Sequence, residues 1–383
     1  MAFPLDLISK RPTPFYLYDL GLLDRTLQAV NDSIATHPDF HVHYAVKANP
    51  DPILLSHIFM AGLGADTVSG GEINIALQAG VKPRDIAFAG VGKTDRDIKI
   101  ALNAGIGMFN IESVQELDII NDIALSLGKK ADVAIRVNPD IDAHTHHYIT
   151  TGIAENKFGI DMRDLDTAIS HAIGLSGINF VGLHFHIGSQ ITIDTPFILL
   201  CERVNEIVAR LDSEGVSLRS VNLGGGLGID YEYPDRHPVP DFGLFFDSVK
   251  RHLDIPAGIE VHFELGRSIV GQCGTLIGRT LYVKNGHSHD FAIIDAGMTE
   301  LIRPALYDAY HFISNLTGDA EHRPTRFYNV VGPVCETTDT FATNRRLSRV
   351  VRGDIIAIRS AGAYGQSMSS HYNSRRLYPN LYI

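Results

Sequence analysis

His43-Tyr44-Ala45-Val46-Lys47-Ala48 is an apolar, β-prone run that carries a lysine at its end. It is the first of eight such runs between His41 and Arg267. The others are Ala65–Ser69, Ile86–Gly90, Met108–Glu112, Val133–Asn138, Gly182–Ile187, Ser220–Gly225 and Val261–Glu264. Each is rich in Val, Ile, Phe or Ala and bounded by Gly, Asn or Asp, as parallel strands buried on both faces should be. Helix candidates such as Pro52–Ala61, Glu72–Ala79 and Phe197–Glu214 fall between them. An open doubly wound sheet also alternates in this way, but a count of eight β/α units favours closure into a (β/α)8 TIM-type barrel.

Beyond Arg267 the pattern changes to strands joined by turns: Thr275–Lys284, Phe291–Asp295, Phe327–Val331, Arg346–Val351 and Asp354–Arg359. The expected fold is therefore α/β plus β, a barrel over residues 26–270 followed by a C-terminal β-sandwich or β-barrel domain. The early run Phe15–Tyr18 also reads as a strand. Pairing of that strand with the C-terminal domain would make the domain discontinuous, residues 1–25 with 271–383.

The 383 residues exceed one ordinary compact core, which agrees with two domains. No apolar run approaches the roughly 20 residues that span a bilayer, and Met1–Lys10 lacks a leader pattern, so a cytoplasmic protein is expected. A net charge of −11 gives nucleic-acid binding no electrostatic support. Three scattered cysteines (Cys201, Cys273, Cys335) make neither a disulfide framework nor a zinc cluster. His144-Thr-His-His147 has no carboxylate or cysteine set beside it, so no metal site is expected.

A barrel of this kind builds its active site at the carboxyl ends of its strands. Reading those ends gives Lys47, Asp66 with Ser69, Glu112, Asn138, His186 with Ser189, Gly224-Gly225-Gly226, and Glu264 with Arg267. A lysine ending an apolar strand must be neutralised, paired or covalently bound, because a lone buried ammonium is costly. A triple glycine at a strand-to-helix turn suits a phosphate, though tight turns also need such glycines. Lysine, glycine loop, histidine and carboxylate together point to pyridoxal phosphate. His184 and His186 share one face of their strand, so periodicity alone does not choose between them.

Tyr44-Ala-Val-Lys47-Ala-Asn49, His184-Phe-His-Ile-Gly-Ser189, Gly224-Gly-Gly226 and Glu264-Leu-Gly-Arg267 resemble the motifs of the fold-type III pyridoxal-phosphate decarboxylases. Asp295-Ala-Gly297, Leu301-Ile-Arg-Pro-Ala-Leu-Tyr307, Gly332-Pro-Val-Cys-Glu336 and Ser360-Ala-Gly-Ala-Tyr-Gly365 continue the likeness over nearly the whole chain. The pattern is most similar to the branch that decarboxylates meso-diaminopimelate to L-lysine. Related decarboxylases of ornithine, arginine, lysine or another carboxylated amino acid are the alternative.

The resemblance implies that Lys47 forms the Schiff base with pyridoxal 5′-phosphate and that His186 stacks on its ring. It implies cofactor contacts for Asp66, Ser189, Gly224, Gly225, Gly226, Gly266, Arg267 and Tyr364, with Glu264 meeting the pyridine nitrogen. Arg267, Arg303, Tyr307 and Tyr364 are implied for the substrate, and Glu336 for its amino group. Ornithine decarboxylases typically carry Cys-Asp where this chain has Cys335-Glu336. Cys335 is implied as the proton donor, supplied across a homodimer with shared active sites. Leu265 departs from the family's usual proline, which puts local rigidity in doubt more than activity. The stretch 144–159 reads as a mobile surface or lid segment, and Thr151-Gly to Lys157-Phe-Gly159 resembles a family segment, which is compatible with a lid over the site.

Overall fold

The computed structural model describes residues 3–139, 141 and 157–383. Most of the expected lid, including His144–His147, lies outside the described residues. The chain divides into two units, one of Thr26–Gly228 and Asp241–Gly266, the other of Met1–Arg25, Ile229–Pro240 and Arg267–Ile383.

Strands run in chain order β1 (Phe15–Tyr18), β2 (Phe40–Ala45), β3 (Gly64–Thr67), β4 (Ile86–Phe88), β5 (Met108–Ile111), β6 (Ala131–Asn138), β7 (Ile160–Asp161), β8 (Ile178–His184), β9 (Ser220–Asn222) and β10 (Glu260–Leu265). Eight of these pair in parallel in the order β5-β4-β3-β2-β10-β9-β8-β6, and β6 returns to β5 to close the barrel. The short β7 only extends β6.

Alternation along β10 shows how sequence places side chains on the barrel's two faces. Phe263 points out to the helix Phe242–His252, where the ring of Phe246 meets it edge-on at 5.0 Å and that of Phe245 at 5.7 Å. Burying a phenyl group of this kind is worth roughly 1.5–3 kcal/mol. The next residue, Glu264, points inward, since it is bonded by Asn110 of β5 from across the barrel. Between β8 and β9 the chains approach so closely that a Cβ on Gly182 would lie 2.0 Å from the Ser220 carbonyl oxygen. Leu265 sits buried within β10, in register with Tyr44 of β2.

The helices expected from periodicity are present as Pro52–Met60, Gly70–Gln78 and Thr195–Ser213. Two strand ends differ from expectation. β2 stops at Ala45 and the chain turns through a 3₁₀ segment, Val46–Ala48, so Lys47 projects from a turn. Ser69 is a helix cap, its hydroxyl accepting from the Glu72 amide.

The second unit contains β11 (Gly274–Lys284), β12 (Asp290–Ile294), β13 (Ile313–Asn315), β14 (Thr325–Val331), β15 (Thr340–Ser348), β16 (Ile355–Ile358) and β17 (Leu381–Tyr382). Their order is β13-β16-β11-β12-β14-β15, and β1 pairs antiparallel with β11 and parallel with β17. Phe15 and Leu17 of β1 pack with Ile277, Ile355 and Leu381, so the amino-terminal strand completes this core. The strand expected at Arg346–Val351 instead runs Thr340–Ser348. It ends there because Asp354 accepts from the Val351 amide and Gly353 adopts φ +94°, which turns the chain into β16. Among the described residues no helix is long and apolar enough to cross a membrane, and no group of three His, Cys, Asp or Glu side chains is arranged to hold a metal.

At the end of the barrel away from Lys47, His43 Nδ1 donates to the Asp85 carbonyl at 3.2 Å, and Nε2 lies 2.8 Å from His262 Nδ1. Burial, and then the neighbouring His262, push His43 down from 6.5 to about 3. Between those values the unfolded chain binds a proton that the folded protein does not. Stability should therefore fall as pH drops from 6.5 towards 3, by up to about 1.4 kcal/mol per pH unit from this group. Urea unfolding followed across that window should show a shallower loss for His43→Gln than for the wild type, whatever the variant's absolute stability. Parallel slopes would contradict the assignment.

Candidate active site

Lys47 Nζ donates to Asp66 Oδ2 at 2.5 Å, joining the turn after β2 to the inward face of β3. Burial, and then the charge of Glu264, raise the Asp66 carboxyl above its ordinary range, against the pull of Lys47. Lys93, on the loop after β4, has its ammonium committed to the Gly90 and Asn110 carbonyls and to Glu116.

Glu264 is the electrostatic centre of the barrel. Its Oε1 accepts from Asn110 Nδ2 at 3.0 Å and Asn222 Nδ2 at 2.8 Å, and its Oε2 lies 3.2 Å from His184 Nε2. Burial alone would favour the neutral acid, but His184 and then Lys47 outweigh it and hold the carboxyl far below the usual range. Two nearby carboxylates are thus driven apart, Glu264 towards the charged form and Asp66 towards the protonated one.

The glycine loop depends on the absence of side chains. Gly224 has φ +72° and Gly226 φ +116°, while a Cβ on Gly225 would stand 2.1 Å from the Glu264 carbonyl oxygen. The loop's amides are not equally open to a phosphate. Gly224 donates to Asn222 Oδ1 and Gly225 to His186 Nδ1. That second bond places the His186 proton on Nε2, and burial, followed by the Arg136 charge, lowers this ring to about 3 and keeps it neutral. Ile191 pairs with Leu227 and donates to the Gly226 carbonyl, which brings the segment containing Ser189 alongside the loop.

Further along β6, Arg136 pairs with Glu112 at 2.8 Å, and Glu112 also accepts from the Gly159 amide. Buried atoms that meet no partner among the described residues include Asp66 Oδ1, Asn110 Oδ1 and His184 Nδ1. With the side-chain-free loop and an ionised glutamate, this donor set fits a ligand that has a primary-amine-reactive carbonyl, a basic ring nitrogen and a phosphate. Pyridoxal phosphate has all three.

In the second unit, Arg267 Nη1 donates to the Tyr231 hydroxyl at 2.6 Å, and its guanidinium lies 4.9 Å from the Tyr364 ring. Arg303 opens a short helix, Arg303–Tyr307, packs 4.9 Å over the Tyr231 ring and donates to His311 Nε2 at 2.9 Å. Cys335 is exposed, its amide donating to Asn373 Oδ1, and Glu336 accepts from the Tyr372 hydroxyl at 3.1 Å.

Residues 20–271 match the family model described as pyridoxal-dependent decarboxylase, pyridoxal binding domain. The chain belongs to that family. It is 52% identical over 375 residues to a diaminopimelate decarboxylase of Bacteroides thetaiotaomicron, covering 98% of this chain and 96% of the relative. A diaminopimelate decarboxylase of Aquifex aeolicus is 43% identical, covering 95% and 84%. The solved structure of Helicobacter pylori diaminopimelate decarboxylase complexed with L-lysine superposes with a TM-score of 0.92 at 39% identity, covering 99% of this chain and 93% of that one.

Within this pyridoxal-dependent decarboxylase the barrel gathers Lys47, Asp66, His186, Gly224–Gly226 and Glu264. The β unit gathers Arg267, Arg303, Tyr364 and, near Arg267, Tyr307. Gly266 follows Glu264 and Leu265 beside Ala45 and Ala48, where a Cβ would stand 3.0 Å from each of their methyl carbons. Reading the sequence missed Asn110, Asn222, Tyr231 and His311, and it left His184 unassigned. Asn110 and Asn222 did carry a signal, since a lone amide inside a short buried strand must find a partner. Tyr231 and His311 carried none, for each gains its meaning only from the arginine it meets.

Proposed function

We propose that this chain removes one carboxylate of meso-2,6-diaminopimelate as CO₂ and releases L-lysine, the last step of lysine biosynthesis. The ionised, triply bonded Glu264 inside the barrel carries this reading. Bound pyridoxal phosphate supplies an electron sink for the pair left when CO₂ departs. Glu264 is the residue that would keep its ring nitrogen protonated, and each pKa unit so gained is worth about 1.4 kcal/mol. Lys47 would hold the cofactor and Asp66 would orient Lys47. The neutral ring of His186 offers a flat face for stacking, and Ser189, Gly226 and Arg267 would take the phosphate.

Arg303, with Arg267 and Tyr307, would hold a carboxylate of the substrate. Among the described residues Arg303 has no acidic partner within ion-pair distance, which suits a substrate with a second carboxylate better than ornithine. Glu336 would meet an amino group, and Cys335 would return a proton to the reacting carbon. Purified protein given pyridoxal phosphate and meso-diaminopimelate should release CO₂ and L-lysine in equal amounts, with little turnover of ornithine, arginine or lysine. CO₂ from one of those and none from diaminopimelate would overturn the reading.

We further propose a homodimer in which Cys335 and Glu336 of one subunit complete the site built on Lys47 of the other. Lys47→Ala and Cys335→Ala should each be nearly inactive alone. After subunit exchange, half the dimers are mixed and each carries one intact site, so about a quarter of all sites should recover. Exchange verified by mass spectrometry without returning activity would place both residues in one chain's site.

A further inference from the structure

The chain treats its buried arginines in two ways. Arg136 is neutralised by Glu112 at 2.8 Å, and Arg359 by both carboxylate oxygens of Asp235, at 3.0 and 3.2 Å. Arg303 is equally buried, yet its guanidinium is braced by an imidazole and an aromatic ring. The brace follows from the sheet. β13 pairs antiparallel with β16, Ile313 opposite Ile358, and the Arg359 amide donates to the Phe312 carbonyl at 2.8 Å. This pairing sets the Arg359 carbonyl oxygen 2.8 Å from His311 Nδ1.

Both contacts of His311 are one-way. A carbonyl oxygen only accepts, so Nδ1 bears the hydrogen. A guanidinium only donates, so Nε2 must offer a lone pair. Only the neutral Nδ1–H tautomer satisfies both. Burial, and then the Arg303 charge, lower His311 to about 3, so protonation does not break the arrangement near neutral pH.

We propose that His311 is a positioning residue for substrate specificity, aiming Arg303 without neutralising it so that the guanidinium keeps its full charge for a substrate carboxylate. An aspartate or glutamate in its place would hold the arginine equally well but would compete with the substrate for its charge. Buried and uncompensated, the guanidinium gains most from an arriving anion. The assignment rests on the diaminopimelate reading given above.

The test compares His311→Leu, His311→Gln and His311→Glu in the cofactor-loaded enzyme. It measures KM and kcat for meso-diaminopimelate and competitive inhibition by 1,5-diaminopentane, which has two amines and no carboxylate. His311→Leu should raise KM about tenfold, the effect of losing one hydrogen bond to a charged group. kcat, cofactor absorbance and inhibition by diaminopentane should stay within about twofold. His311→Gln, a neutral acceptor, should restore KM; His311→Glu should not, although it also accepts. Should the leucine variant fail to fold, the Gln and Glu variants decide alone, since they differ in charge and hardly in shape. Equal KM for these two, or a leucine variant that weakens diaminopentane as much as diaminopimelate, would overturn the assignment. Wild-type turnover with KM unchanged in His311→Leu would remove this assignment alone. Wild-type protein that leaves diaminopimelate untouched would remove the functional reading and this assignment with it.

Discussion

A carboxylate inside a closed parallel barrel is the constraint from which most of this architecture follows. A charge there is costly unless hydrogen bonds and opposite charge compensate it. Glu264 is compensated on both oxygens, by Asn110 and Asn222 on one and His184 on the other. Those donors sit on β5, β9 and β8, so only a closed barrel brings them to one point. Three of the carboxylate's roughly four acceptor positions are then occupied, which leaves room for one more donor, the number a protonated ring nitrogen supplies. The glycine loop answers to the same centre, because the Glu264 carbonyl oxygen leaves no space for a Cβ on Gly225.

The β unit solves the opposite problem. Arg267 and Arg303 are buried cations set among Tyr231, Tyr364 and His311, groups that accept hydrogen bonds or offer aromatic faces and do not cancel the charge. Negative charge is held in the barrel at Glu264, and positive charge in the β unit at Arg267 and Arg303. Residues Ile229–Pro240 follow the barrel's glycine loop in sequence but belong to the β unit, and they bring Tyr231 to the arginines.

The barrel was legible because its strands are short apolar runs bounded by Gly, Asn or Asp, and all eight were found within a few residues. Their ends were less so. Lys47 looked like a strand residue because Val46 and Ala48 are apolar, but the backbone had already turned. Arg346–Val351 misled similarly, as Val350 and Val351 belong to the turn that Asp354 and Gly353 impose. The motifs named residues one at a time and so found Glu264 and Arg303 but not what holds them. Asn110 lies 154 positions from Glu264, and no local pattern encodes that distance. His311 and Arg303 are close in sequence, yet His311 acts through the Arg359 carbonyl, 48 residues on, which only the β13–β16 pairing brings near.

Everything proposed for the chemistry depends on the charge of Glu264 being felt at the ring nitrogen of the bound cofactor. Nitrogen-15 magnetic resonance of the protein loaded with ring-labelled pyridoxal phosphate reads that nitrogen directly. A shift typical of a protonated pyridinium, held across the neutral pH range and lost in Glu264→Gln, is the expected result. A shift typical of neutral pyridine in the wild-type protein would contradict the account.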